Sequence, residues 1–168
     1  MENELPNPGR LPCEDDLVAL CRELNAGGAK YLIVGGFAII HHGCVRATED
    51  IDILLDGALE NQRRVKKALE ILPDRAILEL GDEDIRVYTV VRVSDAILVD
   101  LMLTACGIGY EEASSHIDWK EVHGVRIPFA TPELLLRMKQ THREKDVEDR
   151  IFLHRKIAQM QGDQPEKS

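Results

Sequence analysis

The stretch that decides the fold runs from Tyr31 to Leu55. It reads Tyr31-Leu32-Ile33-Val34-Gly35-Gly36-Phe37-Ala38 and, after a helix-length interval, Arg46-Ala47-Thr48-Glu49-Asp50-Ile51-Asp52-Ile53-Leu54-Leu55. Tyr31 to Val34 is a short apolar run that predicts a strand, and Gly35-Gly36 punctuates it before Phe37 to His42, one or two turns of helix. A glycine pair between a strand and a helix lets backbone N–H groups approach a phosphate closely, and the helix N-terminus adds partial positive charge. From Asp50 onward the side chains alternate, with Ile51, Ile53 and Leu55 on one face and Asp50, Asp52 and Leu54 on the other. Both carboxylates therefore share a side, close enough to share divalent cations, which hard oxygen ligands bind well.

Upstream, Leu17, Leu20, Cys21 and Leu24 recur at helical spacing behind the acidic start Glu14-Asp15-Asp16, and Gly27-Gly28 ends that helix. Downstream, Asn61 to Leu72 predicts a helix whose stripe is Val65, Ala68, Leu69 and Leu72. Ile77 to Leu80, Ile85 to Val91 and Ala96 to Leu103 then read as strands separated by the turn-prone pairs Gly81-Asp82 and Ser94-Asp95, forming a meander beside the first two. Between Gly107 and Arg126 the pattern is weak: Tyr110 to His116 suits a short helix, and Gly124 a turn before a small strand from Arg126 to Phe129. Thr131-Pro132-Glu133 is a helix start, with Thr131 as the cap and Pro132 in the first turn, and a last helix covers about Lys145 to Met160.

The order predicts an α+β, α/β-like fold: a mixed β-sheet with flanking helices and a helical C-terminal side. We expect a single domain over residues 13–161, with a core at about 30–104, a helical part at about 131–161, and flexible ends at 1–12 and 162–168.

A third carboxylate, Asp100, sits inside the apolar run Ile97-Leu98-Val99-Asp100-Leu101-Met102-Leu103, where a charge is costly without a partner. A metal is the natural partner, although a buried Arg would also serve. Each signal has a plain alternative. Gly35-Gly36 alone is an ordinary turn, and Asp50 with Asp52 alone is an exposed strand face. His41-His42 reads as a partly exposed helix end, and Lys139, His142, Arg143, Lys145, Asp146, Glu148 and Asp149 as a solvated, salt-bridged helix from which one Lys could reach a phosphate. Trp119 and Tyr110 read as core packing. The combination of glycine pair, paired aspartates and lone strand aspartate outweighs the plain readings of the glycines and aspartates, whereas those of the histidines, the charged helix and the aromatics stand.

Composition narrows the partners. A formal net charge of -9 repels a polyanion, so no long nucleic-acid groove is expected. Cys13, Cys21, Cys44 and Cys106 form neither a C-x-x-C pair nor a zinc pattern and read as reduced structural thiols. No apolar run approaches the roughly 20 residues of a membrane span, and the first residues lack signal-peptide order, which predicts a cytoplasmic protein with no membrane contact.

Gly35-Gly36, the Asp50-Ile51-Asp52 triplet and the later strand aspartate, Asp100, together resemble the nucleotidyltransferases of the DNA polymerase β superfamily. Arg46-x-Thr48-x-Asp50 resembles its small stand-alone members, the minimal and abortive-infection-type enzymes of toxin-antitoxin pairs. The resemblance spans about Tyr31 to Leu103, with Gly124 to Pro128 and Lys139 to Asp149 only loosely similar to the C-terminal region. It implies transfer of a nucleoside monophosphate from a nucleoside triphosphate to an acceptor, with release of pyrophosphate. Asp50 and Asp52 would each hold metal bridging to the triphosphate. Asp100 would hold the acceptor-side metal and act as general base, the ions being two Mg2+ or Mn2+. Gly35, Gly36, Arg46, Thr48 and Lys139 are the candidate phosphate contacts. The acceptor, whether tRNA, a protein hydroxyl or a small molecule, is not written in the sequence. The alternative is a noncatalytic nucleotide-binding or interaction module with a protein partner.

Overall fold

The computed structural model describes residues 9–163. The frayed ends expected at 1–12 and 162–168 therefore lie outside the described residues except for 9–12 and 162–163. The first helix, α1, covers Glu14–Ala26: the Asp16 carboxylate reaches back to accept from the Cys13 backbone N–H at 2.7 Å, and Gly28, at φ +70, follows its end. Strand β1 (Tyr31–Val34) runs directly into helix α2 (Gly35–His41), and β2 (Asp50–Leu55) follows, all as the sequence predicts. Helix α3 spans Leu59–Leu69 and buries Val65, Ala68 and Leu69.

Two of the next three expected strands are replaced. Residues 77–79 lie in a 3₁₀ turn, Ala76–Glu79, entered through Arg75 at φ +49 and left through Leu80. The cause is Asp95, whose buried carboxylate accepts from the backbone N–H groups of Asp74 at 3.0 Å, Ala76 at 2.9 Å and Ala96 at 2.7 Å. With the Asp74 and Ala76 donors committed to a side chain, the backbone is pinned in a turn just before the run. The expected strand Ile85 to Val91 is instead a helical turn, α4 (Asp84–Val87), and then β3 (Val90–Ser94). Only Ile85 and Val91, the two ends of that run, are buried in the core, while Val87 and Tyr88 are exposed.

Strand β4 is Leu98–Met102, and the short pair β5 (Thr104–Ala105) and β6 (Ile108–Gly109) precedes the turn α5 (Tyr110–Ala113). The sequence pattern missed β7 (Ile117–Val122), which forms a hairpin with β8 (Val125–Ala130) through the left-handed residues His123 and Gly124. Its four central side chains are solvent-exposed, so no apolar alternation marks it. Thr131 caps α6 (Pro132–Met138), and α7 runs over Glu144–Gly162.

The main sheet has the order β3-β4-β2-β1-β8-β7. Pairs β1–β2, β3–β4 and β7–β8 are antiparallel, whereas β2–β4 and β1–β8 are parallel, so the sheet is mixed and the expected meander is absent. Helix α1 packs on α3 and β8, while α2 packs on β1, β2 and α6, and α6 on α7. Ile51, Ile53 and Leu55 are fully buried on the face of β2 opposite the aspartates. Each such side chain stabilises the fold by roughly 1.5–3 kcal/mol, so the sheet can carry a few mutually repelling carboxylates.

Candidate functional site

Sheet register assembles the site. Arg92 of β3 lies opposite Asp100 of β4, Asp100 opposite Asp52 of β2, and Asp52 opposite Val34 of β1. Directly opposed residues share a face, so this row brings Arg92, Asp100 and Asp52 together at the end of β1, where the chain turns at Gly35. Asp50, two residues before Asp52, joins the same face. Carboxylate oxygens of Asp50, Asp52 and Asp100 lie within 4.8 Å of one another.

The glycine pair is required by close approach. Gly35 has φ +68, and a Cβ there would stand 2.0 Å from the Asp52 Oδ2. At Gly36 a Cβ would meet the Thr48 Oγ1 at 2.4 Å and the Arg46 Nη2 at 2.9 Å. The turn is thus seated directly on the acidic strand and on the loop before it. Thr48 lies behind Gly36 and outside the cleft lining: it is buried and its hydroxyl donates to the Asp50 carbonyl at 3.2 Å. There it buttresses the turn from beneath, with its hydroxyl engaged on the backbone of Asp50.

Arg46 does line the cleft. Its Nε is 3.3 Å from the Asp149 Oδ1, and its buried Nε and Nη2 have no hydrogen-bond partner among the described residues. Lys139 also lines the cleft, but its ammonium is shared between Asp146 at 3.2 Å and Asp149 at 3.3 Å. The solvated helix expected around these residues is corrected here: Asp146 is 0% and Asp149 2% exposed. Asp146 additionally accepts from the Thr141 hydroxyl and from the Arg143 Nε at 2.9 Å. Burial pushes its carboxyl up, but those bonds and the Lys139 charge pull it below the ordinary carboxylate range. The network ties α7 and the segment before it to Arg46 and hence to the glycine turn.

Within the acidic cluster the titrations run the other way. Burial, then repulsion from Asp50 and Asp100, pushes the Asp52 carboxyl up to about 7, with Lys139 opposing. Burial, then Asp100, raises Asp50, and Arg92 opposes. Arg92 is the residue that sequence reasoning missed. Its Nε and Nη2 fork onto Asp100 at 2.8 and 2.9 Å, and the same Nη2 reaches Asp50 at 2.8 Å. The signal was faint but present: Arg92 and Asp100 stand at equal distances either side of Ala96 in a hairpin.

These groups line a cleft of about 300 Å³. One side carries Gly35, Gly36, Arg46 and Lys139, and the carboxylates form its floor; Val90, Met102, Leu135 and Met138 give it apolar wall. His41 and His42, expected at an exposed helix end, lie elsewhere and are largely buried: His41 bonds Asp118 at 2.9 Å and stacks on Phe129, and His42 bonds the Ala130 carbonyl at 2.7 Å. Trp119 is not core either; it lies half-exposed under the Arg126 guanidinium. No helix among the described residues is long and apolar enough to cross a membrane.

The solved structure of the lincosamide antibiotic adenylyltransferase LnuA, bound to lincomycin, is similar to this chain with a TM-score of 0.55 and 17% identity, covering 86% of this chain and 98% of that one. An antigenic nucleotidyltransferase-like protein from Paracoccidioides brasiliensis aligns with a TM-score of 0.47 and 20% identity over 82% of this chain and 73% of its own. The chain is therefore a small protein of the nucleotidyltransferase fold, a mixed α+β sheet with flanking helices. No protein-family model and no curated protein sequence matches it.

Proposed function

We propose that this protein is a metal-dependent nucleotidyltransferase, moving a nucleoside monophosphate from a nucleoside triphosphate to an acceptor hydroxyl with release of pyrophosphate. The observation that carries the reading is the meeting of Asp50, Asp52 and Asp100, from two neighbouring strands, within 4.8 Å beside a glycine turn that no side chain could occupy. The donor set fits a hard divalent cation, since three buried or half-buried carboxylates carry more negative charge than the single Arg92 guanidinium offsets. Asp50 and Asp52 would hold Mg2+ on the triphosphate side and Asp100 on the acceptor side. When bound, the ions neutralise phosphate charge and polarise the reacting oxygens.

The chain's own groups supply the rest. Backbone N–H groups at Gly35 and Gly36 cradle phosphate, and the Arg46 Nη2, without a hydrogen-bond partner among the described residues, donates to its oxygens. Lys139, held by Asp146 and Asp149, sets the potential at the same wall. Asp100 accepts the acceptor hydroxyl's proton. The apolar wall of Val90, Met102, Leu135 and Met138 suits an acceptor with an apolar face, and the net charge of -9 disfavours a long nucleic acid. A lincomycin-bound adenylyltransferase among the structural neighbours makes ATP and small hydroxylated molecules the first donor and acceptor to assay.

A second reading, a noncatalytic nucleotide-binding module of the toxin-antitoxin kind, is favoured by one contact: Arg92 neutralises two of the three carboxylates without a metal. Incubation with each α-labelled triphosphate, Mg2+ and candidate acceptors separates the two. Label transfer with pyrophosphate release is expected. Nucleotide binding without either product, across all donors and acceptors, rejects catalysis in favour of the module.

A further inference from the structure

The guanidinium of Arg92 stands in the acceptor-side half of the acidic cluster. It binds both oxygens of Asp100 and one of Asp50, and among the described residues it makes no hydrogen bond to Asp52. Its side chain is 52% exposed and projects from β3, a strand paired, among the described residues, with β4 alone. It also borders a second surface cavity of about 230 Å³, lined by Ala76, Glu79, Leu80, Val93 and Ser94. One long, half-solvated cation thus borders two cavities, each with a carboxylate in its lining. Leaving the first station costs little desolvation, because water already reaches the guanidinium.

We infer that Arg92 is a two-station positioning residue, seated on Asp100 and Asp50 as a resident counter-ion and moving toward Glu79 when a divalent cation takes Asp100. The inference rests on the proposed metal site and adds an order of filling to it. A guanidinium and a divalent cation on the same carboxylate repel one another, so the Asp100 side binds its cation against the fork, while Asp52 is free of it. The first cation therefore settles on the Asp52 side. The second, acceptor-side ion binds only as Arg92 departs, which keeps the pair incomplete until donor and acceptor are in place.

The test uses the full chain and Mn2+ alone, without nucleotide, following free Mn2+ by electron paramagnetic resonance. Arg92→Gln is expected to tighten Mn2+ binding by about five- to tenfold, the strength of a half-exposed charge-assisted fork. Glu79→Gln is expected to weaken it about two- to fivefold, and only while Arg92 is present, so the double variant should match Arg92→Gln. Should Arg92→Gln fail to fold, Arg92→Lys keeps the charge, loses the fork and should bind with intermediate affinity. A purely structural Arg92 would shift melting without tightening the metal. Unchanged or weaker Mn2+ binding in the Arg92 variants, or a Glu79→Gln effect that persists without Arg92, overturns the inference. Full Mn2+ affinity in Asp52→Asn would instead remove the metal site itself, and this inference with it.

Discussion

Asp52→Asn should stabilise the metal-free protein at neutral and alkaline pH while abolishing its response to Mg2+. The Asp52 carboxyl is buried between Asp50 and Asp100, and its value rises from 3.8 to about 7. A carboxyl raised on folding binds its proton more tightly in the folded state, so its penalty is absent below about pH 4 and complete above about pH 7. Each pKa unit is worth about 1.4 kcal/mol, and going from about pH 5 to about pH 8 crosses roughly two of them. Asp52 alone should then remove ~3 kcal/mol of stability over that interval. Asparagine keeps the shape and cannot ionise. Urea unfolding in chelator at both pH values measures the difference between variant and unaltered protein, which cancels the titrating groups remote from Asp52. The variant should gain ~3 kcal/mol relative to the unaltered chain at the higher pH. A difference that is flat with pH, or that falls as pH rises, would refute a buried, repelled carboxylate at this position.

Gly35→Ala places a methyl group against the Asp52 carboxylate at a left-handed φ, so it should cost ~1–3 kcal/mol in a thermal melt and weaken Mn2+ binding; full retention of both would contradict the close approach. Lys139→Met leaves Asp146 and Asp149 buried with fewer cations and should cost ~3–5 kcal/mol by urea unfolding, whereas a lysine serving phosphate alone would leave stability untouched. Asp95→Ala orphans three backbone donors and should cost ~1–3 kcal/mol, with hydrogen exchange accelerating at Asp74, Ala76 and Ala96 before any change at β4. Because the Asp95 and Asp146 carboxyls are held below their ordinary values, their contribution is complete above the carboxylate range and is lost on acidification. An acid limb that survives both Asp95→Ala and Asp146→Ala would assign it elsewhere.

What could be read in advance was set by local patterns with one physical solution. The four-residue apolar run before Gly35-Gly36 and the alternation from Asp50 to Leu55 each admit one strand, and the faces they imply are those observed. The apolar runs at 77–80 and 85–91 misled because apolar content alone does not decide between burial and exposure. Asp95 captures the backbone N–H groups of Asp74 and Ala76 just before the first, and Leu78, Val87 and Tyr88 face solvent. Strand β7 escaped notice because it is an edge with most side chains in water. At the site, the aspartates were legible as residues, but their neighbours depend on inter-strand register. Arg92 joins Asp100 only through the β3–β4 pairing, and Asp146 and Asp149 become buried only when α7 meets Arg46.

The central claim is that one cleft holds divalent metal between Asp50, Asp52 and Asp100 with triphosphate against Gly35 and Gly36. Crystals soaked with Mn2+ and a non-hydrolysable nucleoside triphosphate test it most directly, through anomalous scattering from manganese. The account predicts anomalous peaks in contact with the three carboxylates and phosphate density along the glycine turn beside Arg46. Nucleotide bound elsewhere, or Arg92 still forked onto Asp100 with no manganese at saturating concentration, would contradict it.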